Sequence, residues 1–219
     1  LSNLNRLNSF VSLPTNIDSK DIKYKFKSIF PEKDKDRERI IINPNKNPML
    51  NISLPEGIEK LNNREIEDNL GKIVKLSNLK NDISVYLNQA LSSELLALKV
   101  KRNFNQSLEI VIPSIEGKSI STRIFLLIEE GAKLDLLQIF TGNNNSAQNH
   151  LIEIKLESKV ELTHGLISLG EEKESSSICT LAVEQSEKSK YSLHSIHHGW
   201  DYARFEPRII QSEGEASTI

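Results

Sequence analysis

The chain has 219 residues, enough for one large domain or two modest ones around a substantial core. Its 28 basic and 30 acidic residues leave a net charge of −2, which gives no electrostatic case for binding nucleic acid or an anionic membrane. One cysteine excludes an intramolecular disulfide and fits a reducing compartment, and the longest apolar run, 124–128, is about a quarter of a membrane span.

Taken in chain order, Asp18 to Phe30 places apolar residues at 22, 24, 26, 29 and 30 between lysines, which predicts a short amphipathic helix ending before Pro31. Glu32 to Arg39 is a mixed-charge, solvated stretch. The β-branched run Arg39-Ile40-Ile41-Ile42 reads as a strand stopped by Asn43-Pro44, and Met49 to Leu54 as another ended by Pro55-Glu56-Gly57. Asn62 followed by Glu65 marks a helix start that Gly71 should stop, and Val85 to Leu91 reads as a second helix. From Leu95 the period changes from helical to alternating. Short strands follow around 96–100, 108–112, 121–128, 134–140, 151–156, 162–169, 178–183, 191–197 and 205–210, with polar turns between them.

Those turns repeat. Glu130-Gly131-Ala132-Lys133-Leu134, Glu157-Ser158-Lys159-Val160-Glu161-Leu162, Glu187-Lys188-Ser189-Lys190-Tyr191 and Glu213-Gly214-Glu215-Ala216-Ser217 recur roughly every 25–31 residues, the spacing of stacked repeats. Aligning Ala132, Val160, Tyr191 and Ala216 predicts an interior ladder of Leu134, Leu162 and Leu193, with Asp135, Thr163 and His194 on the opposite face. The fold expected is mainly β: a solenoid core at 95–219 preceded by a mixed, partly helical region at 1–94. The fourth repeat is expected to stop before it can stack, with further rungs or a cap beyond it.

Residues with chemical potential are few. His194 and His198 would share a helix face, but on a strand they stand about 13 Å apart, too far for one metal, and His197 points the other way. Cys179 lies in the apolar strand Ile178-Cys179-Thr180-Leu181, the setting of a small buried hydrophobe. Trp200-Asp201-Tyr202-Ala203-Arg204-Phe205-Glu206-Pro207 is the densest aromatic segment. It offers either a surface Arg204–Glu206 pair or a partner contact. The sequence contains no phosphate-binding Gly-x-x-x-x-Gly-Lys loop, no Gly-x-Ser-x-Gly elbow and no His-Glu-x-x-His helix. The first residues lack the order of a secretion signal, so the Asn-x-Ser sequons at Asn51, Asn105 and Asn144 are read as chance.

Several segments together resemble the SufB/SufD family of iron–sulfur cluster assembly scaffolds, the SufD branch of cyanobacterial or plastid type above all. They are Leu13-Pro14-Thr15, Ile22 to Phe26, Leu54-Pro55-Glu56-Gly57-Ile58, Tyr86-Leu87-Asn88-Gln89-Ala90, Ile128 to Leu134, Asn149 to Ile154, Leu162-Thr163-His164 and His198 to Pro207. The chain departs from the family at Ile22, where tryptophan is common, and around Ser93-Glu94, where a glycine is usual. The resemblance implies a right-handed parallel β-helix, a SufB-like paralogue and a SufC-like ATPase as partners, and a non-catalytic scaffold role in the cytoplasm or plastid stroma.

On that resemblance, the family's assembly residues should fall beyond Ile219. No catalytic or metal residue is therefore carried over, and an iron–sulfur cluster is expected only at an interface of the full complex. The competing expectation is a carbohydrate-active or carbohydrate-binding solenoid. That would need Glu153, Glu161, Asp135 and Glu184 to converge on one groove, with catalytic carboxyls about 5–9.5 Å apart.

Overall fold

The computed structural model describes residues 37–42, 53–92, 95–114, 116–171 and 174–219. The helix expected at 18–30 lies outside them, as do residues 49–52 of the strand expected at 49–54, of which 53 and 54 are not in a strand. Chain order runs β1 (Arg37–Ile41), β2 (Ile58–Lys60), α1 (Asn63–Asn69), α2 (Lys72–Leu76), α3 (Ile83–Leu91), β3 (Leu95–Val100), β4 (Ser107–Pro113) and β5 (Ser119–Ile128). It continues with β6 (Lys133–Thr141), β7 (Ala147–Leu156), β8 (Glu161–Leu169), β9 (Ser176–Gln185), β10 (Lys190–His198), β11 (Tyr202–Gln211) and β12 (Ser217–Thr218).

From β3 onward, successive strands fall alternately into two sheets. Sheet I has the order β1-β4-β6-β8-β10-β12 and sheet II the order β11-β9-β7-β5-β3-β2, every pairing parallel except the antiparallel β2–β3. This is a β-solenoid of about four turns, as the alternating pattern predicted. Alternate residues of both sheets meet between them: Leu108, Ile110 and Ile112, Leu134, Leu136 and Phe140, and Leu162 and Leu166 from one side, Ile124, Leu126 and Ile128, Ile152, Ile154 and Leu156, and Leu181 and Val183 from the other. The β-branched run around Ile40 forms β1, which pairs with β4 and so joins sheet I.

The turns explain the glutamate repeat. Gly131, Lys159, Lys188 and Glu215 each take a left-handed conformation, with φ of 70°, 61°, 57° and 61°. Three of the four are not glycine and accept a strain of about 1–2 kcal/mol each. The column is held by backbone bonds: Gly131 N–H donates to Ser158 O at 2.9 Å, Lys159 N–H to Glu187 O at 2.9 Å and Lys188 N–H to Gly214 O at 3.2 Å. The glutamates add a second tie. Glu157 accepts from Glu130 N–H at 2.9 Å, Glu213 from Glu187 N–H at 3.0 Å, and Glu129 from Arg102 N–H at 3.0 Å. Each carboxylate therefore satisfies an amide of the turn before it.

This geometry corrects the expected ladder. Ala132, Val160 and Ala216 each follow their left-handed residue by one place, but Tyr191 follows Lys188 by three, so equating them slides the third strand by two residues while keeping its inward face. The partner of Leu162 is Tyr191, not Leu193, which pairs with His164. The interior column is Leu134, Leu162, Tyr191, and then Thr218. Ser192, not His194, stands in line with Asp135 and Thr163 on the outside. The fourth turn does stack, since Ser217 and Thr218 pair with Lys190 and Tyr191.

Ahead of the core strands, α1 begins in the expected capping box: Glu65 N–H donates to Asn62 Oδ1, and Asn62 N–H to Glu65 Oε2, both at 3.0 Å. It ends at Leu70, just before Gly71, whose φ is 80°. The expected second helix is α3; α2 was not foreseen. Among the described residues no helix is long and apolar enough to cross a membrane.

The stacked column sets a stability contrast. Leu162→Ala should cost about 2–5 kcal/mol. Thr163→Ala, one residue on but facing out, should stay within about 0.5 kcal/mol. Urea unfolding of both variants checks the assignment, and equal losses would contradict it.

Candidate functional site

Two polar assemblies stand out from the apolar framework, one inside the solenoid and one on its outer wall. The interior one follows from strand parity. His150 shares a face of β7 with Ile152 and Ile154, and His164 shares a face of β8 with Leu162 and Leu166, so both imidazoles point inward. Both are fully buried. His150 Nε2 lies 3.1 Å from Gln148 Oε1, which can only accept, so this nitrogen carries the proton and Nδ1 accepts from the Thr122 hydroxyl at 2.8 Å. The ring stacks on Phe140 with centroids 4.1 Å apart. His164 repeats the arrangement: Nε2–H donates to Gln138 Oε1 at 2.9 Å, and Nδ1 accepts from the Tyr191 hydroxyl at 2.9 Å.

Burial pushes both histidines down to about 3, so both are neutral at physiological pH. With each ring nitrogen committed, neither has a lone pair or proton left for a metal or substrate. Cys179 sits in register with His150 on the neighbouring strand, and burial pushes its thiol up, away from the reactive thiolate. The cysteine is the buried hydrophobe its strand implied.

The outer assembly joins the helices to sheet II. Glu153 points outward from β7 yet is fully buried, covered by Gly71 and α2. Its carboxylate accepts from Gly71 N–H at 2.9 and 3.0 Å and from Val74 N–H at 3.4 Å, and pairs with Arg123 at 3.2 Å. A buried charge with this many donors is compensated; stripped of them it would be costly. Asn88 of α3 donates to Thr122 O and Asn149 O, both at 2.9 Å, tying β5 to β7. Asp82, the cap of α3, accepts two bonds from Arg204 of β11, at 2.6 and 3.1 Å. The Arg204 guanidinium holds the Asp82 carboxyl well below the usual carboxylate range.

The residues singled out from the sequence do not form one centre. His194 is exposed and bonded to Ser192 at 3.1 Å, His198 is exposed, and His197 turns inward against Phe205 with centroids 4.7 Å apart. Among the described residues no group of three His, Cys, Asp or Glu could hold a metal ion. The Arg204–Glu206 contact exists at 3.5 Å but is secondary to Asp82, a partner 122 positions earlier in the chain. Trp200 lies over the corner made by Gly142 and Gly170; a β-carbon on either glycine would collide with its ring. No sequence signal joined Asp82 to Arg204 or Glu153 to Gly71. The inward direction of His150 and His164, by contrast, was available from the parity of their apolar neighbours.

The carboxylates of the carbohydrate reading are dispersed. Glu153 and Glu184 lie on sheet II, Asp135 and Glu161 on the outside of sheet I. The latter two line a surface groove of about 630 Å³ with Arg102, Phe104, Lys133 and Thr163. Lys133 and Lys190, 3.0 and 3.1 Å from Glu161, lower its proton affinity, the reverse of what a general acid requires.

Residues 111–219 match the family model described as SUF system FeS cluster assembly, SufBD core domain. The match begins within β4 and takes in every later strand. No curated protein and no solved structure matches the chain.

The buried imidazoles make a pH prediction. Their affinity for protons is depressed in the fold relative to about 6.5 in the unfolded chain, so the unfolded state binds more protons between about pH 6.5 and 3. The histidines' contribution should be flat above that window, fall as pH drops through it, and level off below about 3. The double variant His150→Gln, His164→Gln should have a lower urea midpoint at pH 7.5 but a shallower fall between pH 7.5 and 5.5. An unchanged slope would rule out the two histidines as its source.

Proposed function

We propose, from the SufBD core domain that residues 111–219 match, that this chain is a scaffold subunit of a SufBCD-type iron–sulfur cluster assembly complex, of the SufD kind. The single observation that carries the reading is the coincidence of the matched segment with the strands that stack as a solenoid. The interior chemistry supports it. His150, His164 and Cys179 are locked in neutral, internally bonded or apolar settings, which suits a rigid body better than an enzyme centre. The chain would divide into an N-terminal region, 1–94, and a solenoid core, 95–219, with β1 lent to the core.

In this role the chain pairs with a SufB-like paralogue through its solenoid and works with a SufC-like ATPase, whose rearrangement opens the place between subunits where the cluster is built. The cluster is cargo of the complex, and no residue of this chain is assigned to hold it. The compartment is the cytoplasm, or the stroma in a plastid.

Co-expression of the full-length protein with a SufB-like and a SufC-like subunit, followed by affinity purification and light scattering, should yield one complex containing all three. A full-length protein that stays monomeric beside both partners would overturn the reading.

A further inference from the structure

We propose that residues 61–91 form a strap over the outer face of sheet II, released when Arg204 passes from Asp82 on the strap to Glu206 on its own strand. The inference is independent of the family reading. The strap lays Leu61, Ile73, Val74, Leu79 and Val85 on an apolar strip made by Ala97, Phe125, Leu127, Leu151 and Ala182. Its polar anchors are spread along the solenoid axis. Asn88 reaches β5 and β7, Gly71 and Val74 reach Glu153 of β7, Ser84 meets Thr180 of β9 at 3.3 Å, and Asp82 meets Arg204 of β11.

The anchors differ in what breaking them leaves behind. Undocking Gly71 and Val74 strips Glu153 of two amide donors, and undocking Asn88 strips two buried carbonyls of their side-chain donor, so those contacts resist opening. Arg204 has a second acceptor in place. Its Nη2 lies 2.6 Å from Asp82 and 3.5 Å from Glu206, while Glu206 is held meanwhile by Arg208 at 2.5 Å. When Asp82 leaves, the guanidinium closes on Glu206 without any change in the path of β11, so no charge is stranded. Asp82 remains the cap of α3 through Ser84 N–H, so the helix survives its release. The start of α3 is therefore the end from which the strap lifts. Lifting it uncovers Ala182 and then Leu151 and Phe125, an apolar strip that the closed form hides.

Hydrogen–deuterium exchange of the full-length protein, resolved by peptide, tests this. Asp82→Asn keeps a good cap and removes the charge, and Arg204→Ala removes the other partner; both should speed exchange across 82–92 on the order of tenfold while β5, β7 and β9 stay at wild-type rates. Glu206→Gln removes the competing carboxylate and should slow exchange in the same segment. Uniform acceleration through the strands, an unchanged rate at 82–92 in the first two variants, or a Glu206→Gln strap that exchanges as fast as wild type or faster would each overturn the proposal.

Discussion

The register of the rungs is the constraint on which the rest of this molecule depends. Side chains alternate along a strand, so a slip of one residue would turn Leu162, His164 and Leu166 outward and bring Glu161, Thr163 and Gly165 in. Parallel strands have no tight hairpin to fix their phase; here the corners do it. The left-handed residues at 131, 159, 188 and 215 stand above one another, and the amide of each of the first three is taken up by a carbonyl of the next turn, with carboxylate ties from Glu129, Glu157 and Glu213 besides. Strain at three non-glycine positions is the cost of a corner that can be made in only one phase. The repeat seen in the sequence is thus a register device before it is a surface feature.

Given that register, the polar groups carried inside have to find one another. His164 meets Gln138 below and Tyr191 above, each from an adjacent strand of sheet I, while His150 meets Thr122 one strand away and Gln148 on its own. All four ring nitrogens are paired only at the native stacking and would be left unpaired, buried, at any other. The histidines therefore reinforce the phase that the corners choose, and this accounts for titratable residues inside an otherwise apolar column.

Much of this was legible in the sequence, and what was not has a common physical character. Alternation after Leu95 gave the strands, Asn62 and Glu65 gave a helix start, and the resemblance of 128–134 and 198–207 to one family agrees with the matched domain. The expected register of the third strand is two residues out because Tyr191 stands three places after the left-handed Lys188, where Ala132 and Val160 stand one place after theirs; alternation fixes which face is inward, but not how many residue pairs a strand has slid. Helix α2, only five residues long, is below the length at which periodicity speaks. Contacts between Asp82 and Arg204, or Gly71 and Glu153, join residues more than 80 positions apart and arise from how the strap lies on sheet II. Local patterns carry no information about such pairs.

A solenoid whose rungs touch only their neighbours is held together as a chain of nearest-neighbour terms, and such chains fray from their ends. The strap alters that. Through α2 and α3 it contacts β5, β7 and β9, and through Asp82 it reaches β11, so one segment makes the docking of several rungs a single event. Its apolar contacts and the buried Glu153 supply the hold, and the ion pair at its far end supplies the point of exchange. The first stiffens the stack, and the second keeps a contact that can be remade without disturbing the core.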